Sequence, residues 1–79
     1  MKAEFKKGDI EFDMYTDLYT FHRDFGVPEN ADAYWTALIE RVDEIVEKYK
    51  DTVVEGIVSH HLINVMELLN KKAREGQAV

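Results

Sequence analysis

The amino-acid sequence predicts an all-α protein whose helices form a three-helix antiparallel bundle. Three stretches carry apolar side chains at helical spacing, and short connections separate them. The apolar stripes of the second and third stretches point about 160° apart when one straight helix is drawn through both. Because such a helix cannot bury both stripes against one partner, we expect the chain to bend near residues 50–52. Homodimerisation that completes the bundle is an open alternative.

The first stretch predicts an amphipathic helix with an aromatic-rich apolar face. That face consists of Met14, Tyr15, Leu18, Phe21, His22 and Phe25. Asp9 and Asp13 are both suitable N-caps, so the start of the helix is left open. Gly26 is expected to end it in a left-handed conformation, with Pro28 following.

The second stretch predicts a helix capped by Asn30 or Asp32. Its apolar face consists of Trp35, Leu38, Ile39, Val42, Ile45, Val46 and Tyr49. On the polar side, the pairs Arg41–Glu44 and Glu44–Lys48 have the spacing of helical ion pairs. Each such pair would contribute about 0.2–0.5 kcal/mol.

The third stretch begins with a helix-start signal and carries the second apolar stripe. Thr52 and Glu55 have the spacing of a capping box, which independently supports a break at Thr52. The apolar face consists of Val54, Ile57, Val58, His61, Leu62, Val65, Leu68 and Leu69. Gly76 is expected to stop the helix.

The length of 79 residues indicates one domain. Residues 1–8 are predicted to be a flexible arm whose Phe5 docks on the domain. The helical domain then covers residues 9–75, and residues 76–79 are predicted to be disordered. The predicted helices run over about 10–25, 31–49 and 53–73.

Composition excludes several classes of protein. There is no cysteine, so neither a disulfide framework nor a cysteine-based zinc site is possible. No apolar run approaches the ~18–20 residues needed to cross a bilayer. The basic start of the chain lacks the apolar segment of a signal peptide. We therefore expect a cytoplasmic protein that does not associate with membranes.

The negative charge is concentrated in one part of the chain. Residues 13–51 contain ten acids and four bases and so carry the whole net charge of −6. Such a surface repels nucleic-acid phosphates, which disfavours direct nucleic-acid binding. It suits a basic partner or a divalent cation better, although solubility alone would also explain it.

The acids of the second helix suggest one enzymatic alternative. Glu44-x-x-Glu47 resembles the E-x-x-E element of the all-α nucleoside-triphosphate pyrophosphohydrolases, in which helix-borne carboxylates bind magnesium. The second element of that family, E-x-x-D, has its counterpart in Glu67-x-x-Asn70, where a neutral amide replaces a carboxylate. The resemblance implies a magnesium-dependent nucleotide hydrolase that uses Glu44, Glu47 and Glu67.

The histidines are predicted to be structural. His22 and His61 lie on core-facing arcs and could meet across the bundle, whereas His60 faces solvent. A metal site would need a third ligand, and the apolar stripe of the second helix offers no carboxylate. We therefore favour hydrogen-bonded core histidines over ligands, although their pattern leaves a further role open. No metal or cofactor is expected.

Several apolar side chains exceed what a small core needs and suggest an interaction surface. The candidate groove is lined by Tyr15, Tyr19 and Tyr34. Ile63 and Met66 widen the apolar coverage of the third helix. These five residues are the predicted interaction surface.

Three runs of the sequence carry a further resemblance. They are Tyr15-x-x-Leu18-Tyr19-x-x-His22-x-x-Phe25-Gly26, Tyr34-Trp35-x-x-Leu38-Ile39 and Lys48-Tyr49. Over about residues 12–70 the chain resembles small uncharacterised helical proteins of Gram-positive bacteria and their prophages. The resemblance implies a helical fold and brings no activity or functional residue with it.

The functional hypothesis from the sequence is a protein-interaction or assembly module without catalytic activity. Such a module would associate with itself or with a basic or apolar protein partner. The alternatives are the magnesium-dependent nucleotide hydrolase and an acidic decoy that binds a basic DNA-binding protein.

Overall fold

A computed structural model describes residues 1–77 and contains three α-helices in this range. They are α1 (Ile10–Asp24), α2 (Asp32–Tyr49) and α3 (Glu55–Gln77), and each helix packs against the other two. The end of α2 lies beside α1 at Asp17, and Lys72 of α3 reaches Gly26 at the end of α1. Successive helices therefore run antiparallel, and the predicted three-helix bundle is confirmed.

The core is apolar and draws on all three helices. Its members are Met14, Leu18, Phe21, Phe25, Tyr34, Leu38, Ile45, Tyr49, Val54, Val58, Leu62, Val65 and Leu69. Within residues 1–77, no buried side-chain nitrogen or oxygen lacks a hydrogen-bond partner. The Tyr34 hydroxyl, for example, donates to the Phe25 carbonyl oxygen at 2.6 Å. Burial of these side chains is the main force that holds the helices together.

The predicted bend lies between Tyr49 and Glu55. Asp51 there has a φ of 61°, in the left-handed region that reverses the chain after a helix. The Thr52 hydroxyl donates to the Tyr49 carbonyl oxygen at 2.6 Å, and the Glu55 carboxylate accepts from the Asp51 backbone N–H at 2.9 Å. The Glu55 carboxylate thus reaches one residue further back than in a regular capping box. Consequently α3 begins at Glu55 and not at residue 53.

Three predicted helix ends were wrong. Gly26 does not have a positive φ; it is needed because a Cβ there would lie 2.9 Å from the His22 carbonyl oxygen. The N-cap of α2 is Ala31, which makes no side-chain capping bond, so neither predicted polar cap is used. Helix α3 continues through Gly76, where no Cβ clash or positive φ forces a stop. Residues 76–77 are therefore helical, and the rest of the predicted tail, residues 78–79, lies outside the described residues.

The arm that precedes α1 is held by one contact with the bundle and one bond of its own. The ring of Phe5 lies 6.2 Å from the ring of Tyr15, between centroids, as the predicted docking requires. The Asp9 carboxylate accepts from the Lys6 backbone N–H at 3.0 Å. Asp9 is the N-cap residue of α1, but its carboxylate stabilises the turn at Gly8 and does not cap the helix.

Polar contacts between helices replace the ion pairs predicted within α2. Arg41 binds the Asp24 carboxylate of α1 at 3.2 Å, and Lys48 binds that of Asp17 at 2.7 Å. The buried Tyr49 also donates its hydroxyl to Asp17, at 2.6 Å. The predicted pairing of Arg41 and Lys48 with Glu44 was therefore wrong, because α1 offers carboxylates that both bases can reach. These bonds fix the register between α1 and α2.

Candidate interaction surfaces

An open cleft lies between α1 and α3. It has a volume of about 560 Å³. The residues that line this α1–α3 cleft are Tyr15, Leu18, Tyr19, His22, Arg23 and His61. Tyr19 is 67% exposed, and Tyr15 is 54% exposed even though its ring lies beside that of Phe5. Their exposure makes the cleft a candidate docking site.

The cleft continues along both helices. On α3, Ile57 and Leu68 share a face with His61, since the three positions are spaced by four and seven residues. On α1, Phe12 shares a face with Tyr19, because the two positions are seven residues apart. All three apolar side chains are exposed, Ile57 by half its area. The apolar surface at the cleft is therefore an elongated strip and not a closed pocket.

The electrostatics of the cleft differ from those of the rest of the protein. Among the lining residues described in the structure, none is acidic and Arg23 is basic. Burial lowers the pKa of the His61 imidazole below its ordinary 6.5, and the neighbouring His22 lowers it further. The proton on His61 is therefore disfavoured, and the Arg23 guanidinium is paired with the Asp24 carboxylate at 3.0 Å.

The two histidines meet across α1 and α3, as the sequence predicted, but they are not core residues. Both imidazoles line the open cleft, and the structure assigns neither a hydrogen bond to any residue of the described range. The prediction of hydrogen-bonded core histidines was therefore wrong. The reason is that α1 and α3 bury the centres of their stripes, with Leu18 and Leu62 among the core residues, and leave the edges of the stripes uncovered.

A second apolar surface lies at the seam of α2 and α3. Ile39 and Val46 of α2 are exposed, and they lie about 140–160° around the helix from the α1-facing Arg41. Ile63 of α3 is also exposed, and it lies about 160° around the helix from His61. Trp35 and Met66 are half-buried and pack against the core. This α2–α3 strip consists of Trp35, Ile39, Val46, Ile63 and Met66.

The five residues of the predicted interaction surface do not lie together. Tyr15 and Tyr19 belong to the α1–α3 cleft, while Ile63 and Met66 belong to the α2–α3 strip. Tyr34 is 8% exposed and packs its ring against Phe25 and Trp35, so it contributes to the core. Burial raises the pKa of its hydroxyl.

Four members of the two surfaces lie on stripes that the sequence predicts to face the core. They are Ile57, Leu68, Ile39 and Val46, and all four are exposed. The width of these stripes indicates exposed edges, because a helix in a three-helix bundle cannot bury both edges of a wide apolar stripe. The predicted stripes themselves were right at their centres.

The carboxylates of the enzymatic alternative are separated. Glu44 lies with Asp17, Arg41 and Lys48 between α1 and α2, whereas Glu67 lies beside Lys71 on α3. Across residues 1–77 no group of three histidine, aspartate or glutamate side chains could hold a metal ion. The geometry thus offers no support for a magnesium site at Glu44, Glu47 and Glu67.

Two further findings concern the chain as a whole. No helix in the described part of the chain is both long and apolar enough to cross a membrane. Comparison of the sequence with protein-family models and curated proteins, and of the fold with solved structures, finds no match.

Proposed function

We propose that this chain is a non-catalytic protein-interaction module of the cytoplasm that docks its partner in the α1–α3 cleft. The observation that carries the proposal is the exposure of Tyr15 and Tyr19 side by side on an otherwise well-packed bundle. The absence of cysteine from the sequence suits a reducing compartment.

Tyrosine is well suited to the proposed role. A tyrosine ring buries a large apolar area and loses little conformational entropy, while its hydroxyl keeps a polar handle. Tyrosine is accordingly enriched among the residues that dominate binding energy. Both rings are carried by α1, whose adjoining face is held in the core by Met14, Leu18 and Phe21. The docking surface is therefore preorganised on a rigid element.

The test is a selection from a random peptide library with matched counter-selection. Wild-type protein serves as bait, and a Tyr19→Glu variant removes binders that do not use the cleft. Glutamate is a good helix former, and Tyr19 is largely exposed, so the variant should keep the fold. We expect a set of peptides that bind wild type and lose at least about tenfold in affinity, or about 1.4 kcal/mol, on the variant.

The control variant is Val27→Glu, which makes the same kind of change at an exposed residue of the α1–α2 connection. Peptides that use the cleft should bind this variant as they bind wild type. A selection that yields only peptides indifferent to Tyr19→Glu would refute the cleft as a docking surface.

A further inference from the structure

We infer that docking in the α1–α3 cleft is controlled by pH: an apolar partner binds while His22 and His61 are neutral and is released when they take up protons. The inference rests on the proposed function, because it names how the same docking site is regulated. Three features of the described residues support it: the position of the two imidazoles, the apolar surface around them and the charges that face them.

The two imidazoles lie where a docked partner covers them. His22 of α1 and His61 of α3 line the cleft from its two walls, and Tyr15 and Tyr19 line it as well. His22 follows Tyr19 by three residues and Tyr15 by seven, so the three side chains share one face of α1. A partner that packs on the two tyrosines therefore also covers the histidines.

The surface around the imidazoles selects an apolar partner. Leu18 and the two tyrosine rings line the cleft, and the exposed Ile57 and Leu68 continue the apolar surface along α3. Such a surface binds by removing apolar area from water, which also strips water from any polar group that is covered. A neutral imidazole tolerates this loss of water far better than a protonated one, whose charge loses its hydration. Protonation therefore opposes docking.

The charges at the cleft do not offset protons on the imidazoles. Among the described residues that line it, none is acidic and Arg23 is already a cation. The neighbouring Asp24 carboxylate is occupied, because it binds Arg23 at 3.0 Å and Arg41 of α2 at 3.2 Å. A second or third positive charge in the cleft thus meets no free carboxylate there.

Charges on the other parts of the bundle that border the cleft lie at a distance. Glu11 of α1 and Lys72 of α3 share the faces of the two histidines, but each is eleven residues away, or about 16 Å along its helix. The arm packs on Tyr15, about 10 Å along α1 from His22. Its charged side chains are those of Lys2, Glu4, Lys6 and Lys7. These distances exceed the screening length of about 8 Å at physiological ionic strength.

The free protein already shows how burial acts on one of the imidazoles. Burial lowers the pKa of His61 below its ordinary 6.5, and the neighbouring His22 lowers it further. A docked partner adds to this burial and should lower the pKa again. By linkage, a partner that lowers the pKa of a group binds more weakly as pH falls through the pKa of the free protein. Affinity should therefore be constant at higher pH and fall on acidification.

The experiment measures the dissociation constant of one Tyr19-dependent peptide, selected as above, from about pH 7.5 to about pH 5.0, the range in which histidine changes charge. A peptide without Asp, Glu or His and with blocked termini contributes no titration of its own in this range. We expect the dissociation constant to rise at least about tenfold, which corresponds to a total pKa decrease of about one unit on binding. Far-UV circular dichroism at each pH verifies that the protein stays folded.

Three glutamine variants assign the effect, since glutamine stays neutral and is a good helix former. The double variant His22→Gln/His61→Gln should bind the peptide with a dissociation constant independent of pH. The control is His60→Gln, because His60 is exposed and lies about 100° around α3 from His61. It should keep the full pH dependence, and His61→Gln alone should keep part of it. In wild type, an NMR titration should show the pKa of His61 lowered further by saturating peptide.

The outcomes separate this inference from the proposed function. A dissociation constant that is unchanged or smaller at pH 5.0 would overturn control by pH and leave the cleft as a docking site. A pKa of His61 that rises on binding, or full pH dependence in the double variant, would overturn it as well. If the library yields no Tyr19-dependent peptide, the proposed function fails and its regulation fails with it.

Discussion

Removal of one hydroxyl tests how α1 and α2 are held in register. Tyr49 is buried, and its hydroxyl donates at 2.6 Å to the same Asp17 oxygen that Lys48 binds at 2.7 Å. A hydrogen bond to a charged group contributes about 1.5–3 kcal/mol. The Asp17 side chain is 30% exposed, so water and Lys48 can replace part of the lost bond. We therefore expect Tyr49→Phe to lower the free energy of unfolding by about 1–2 kcal/mol.

The assay is urea denaturation at neutral pH, supported by thermal melting. For a domain of this size, each kcal/mol lowers Tm by about 4–8 °C. The matched control is Tyr15→Phe, whose hydroxyl makes no hydrogen bond in the described structure and whose loss should change stability by less than about 0.5 kcal/mol. A loss for Tyr49→Phe no larger than that of the control would refute the role assigned to the bond.

The same variant has a defined pH dependence. Burial acts to raise the pKa of the Asp17 carboxyl, but hydrogen bonds from Lys48 and Tyr49 outweigh it and lower the pKa below its ordinary 3.8. The ionised carboxylate is thus favoured in the folded state. Its stabilising effect is present above pH 3.8 and is lost as pH falls through the lowered pKa. The difference between wild type and Tyr49→Phe should shrink over that acidic range.

Three further outcomes are expected. Asp51→Gly should raise the free energy of unfolding by about 0.5–1 kcal/mol in urea denaturation, because glycine adopts the φ of 61° without strain; a decrease would contradict this. Gly26→Ala should lower it by about 1–3 kcal/mol through the contact of its Cβ with a backbone oxygen, whereas Gly56→Ala, with open space at its Cβ, should not destabilise the protein. In an NMR titration, the pKa of His61 should lie below 6.5 and rise in a His22→Gln variant; an unchanged value would disprove the contact between the two rings. Folding disfavours the proton on His61, so protonation of this residue should lower the free energy of unfolding as pH falls below 6.5.

The candidate cleft could be predicted in part. The sequence predicts Tyr15 and Tyr19 as surface residues, because the helices carry more aromatic side chains than a small core needs. The positions of His22 and His61 on the two stripes predict that these side chains meet. That Ile57 and Leu68 border the cleft could not be predicted, because a helical wheel shows a wide apolar arc without showing which edge a neighbour covers. Tyr34 shows the reverse case, since its place at the edge of a stripe suggested exposure and the neighbouring Phe25 buries it.

The helix ends could also be predicted only in part. The bend after Tyr49 followed from the reversal of the apolar stripe, which is a property of the sequence alone. The conformation within the bend did not, because Asp51 in a left-handed conformation lets Glu55 bond to a backbone N–H one residue earlier than a regular capping box would. Glycine was also an unreliable marker: Gly26 is required for close backbone approach, and Gly76 lies within α3.

The sequence by itself determined the three helices, the bend between the second and third and the centre of each buried stripe. These follow from apolar periodicity, which each segment carries independently of its neighbours. Only the tertiary structure decided which stripe edges stay exposed and which carboxylates Arg41 and Lys48 bind. Those outcomes depend on where a neighbouring helix lies and how its side chains meet the stripe, and a pattern along one helix contains no information about that position.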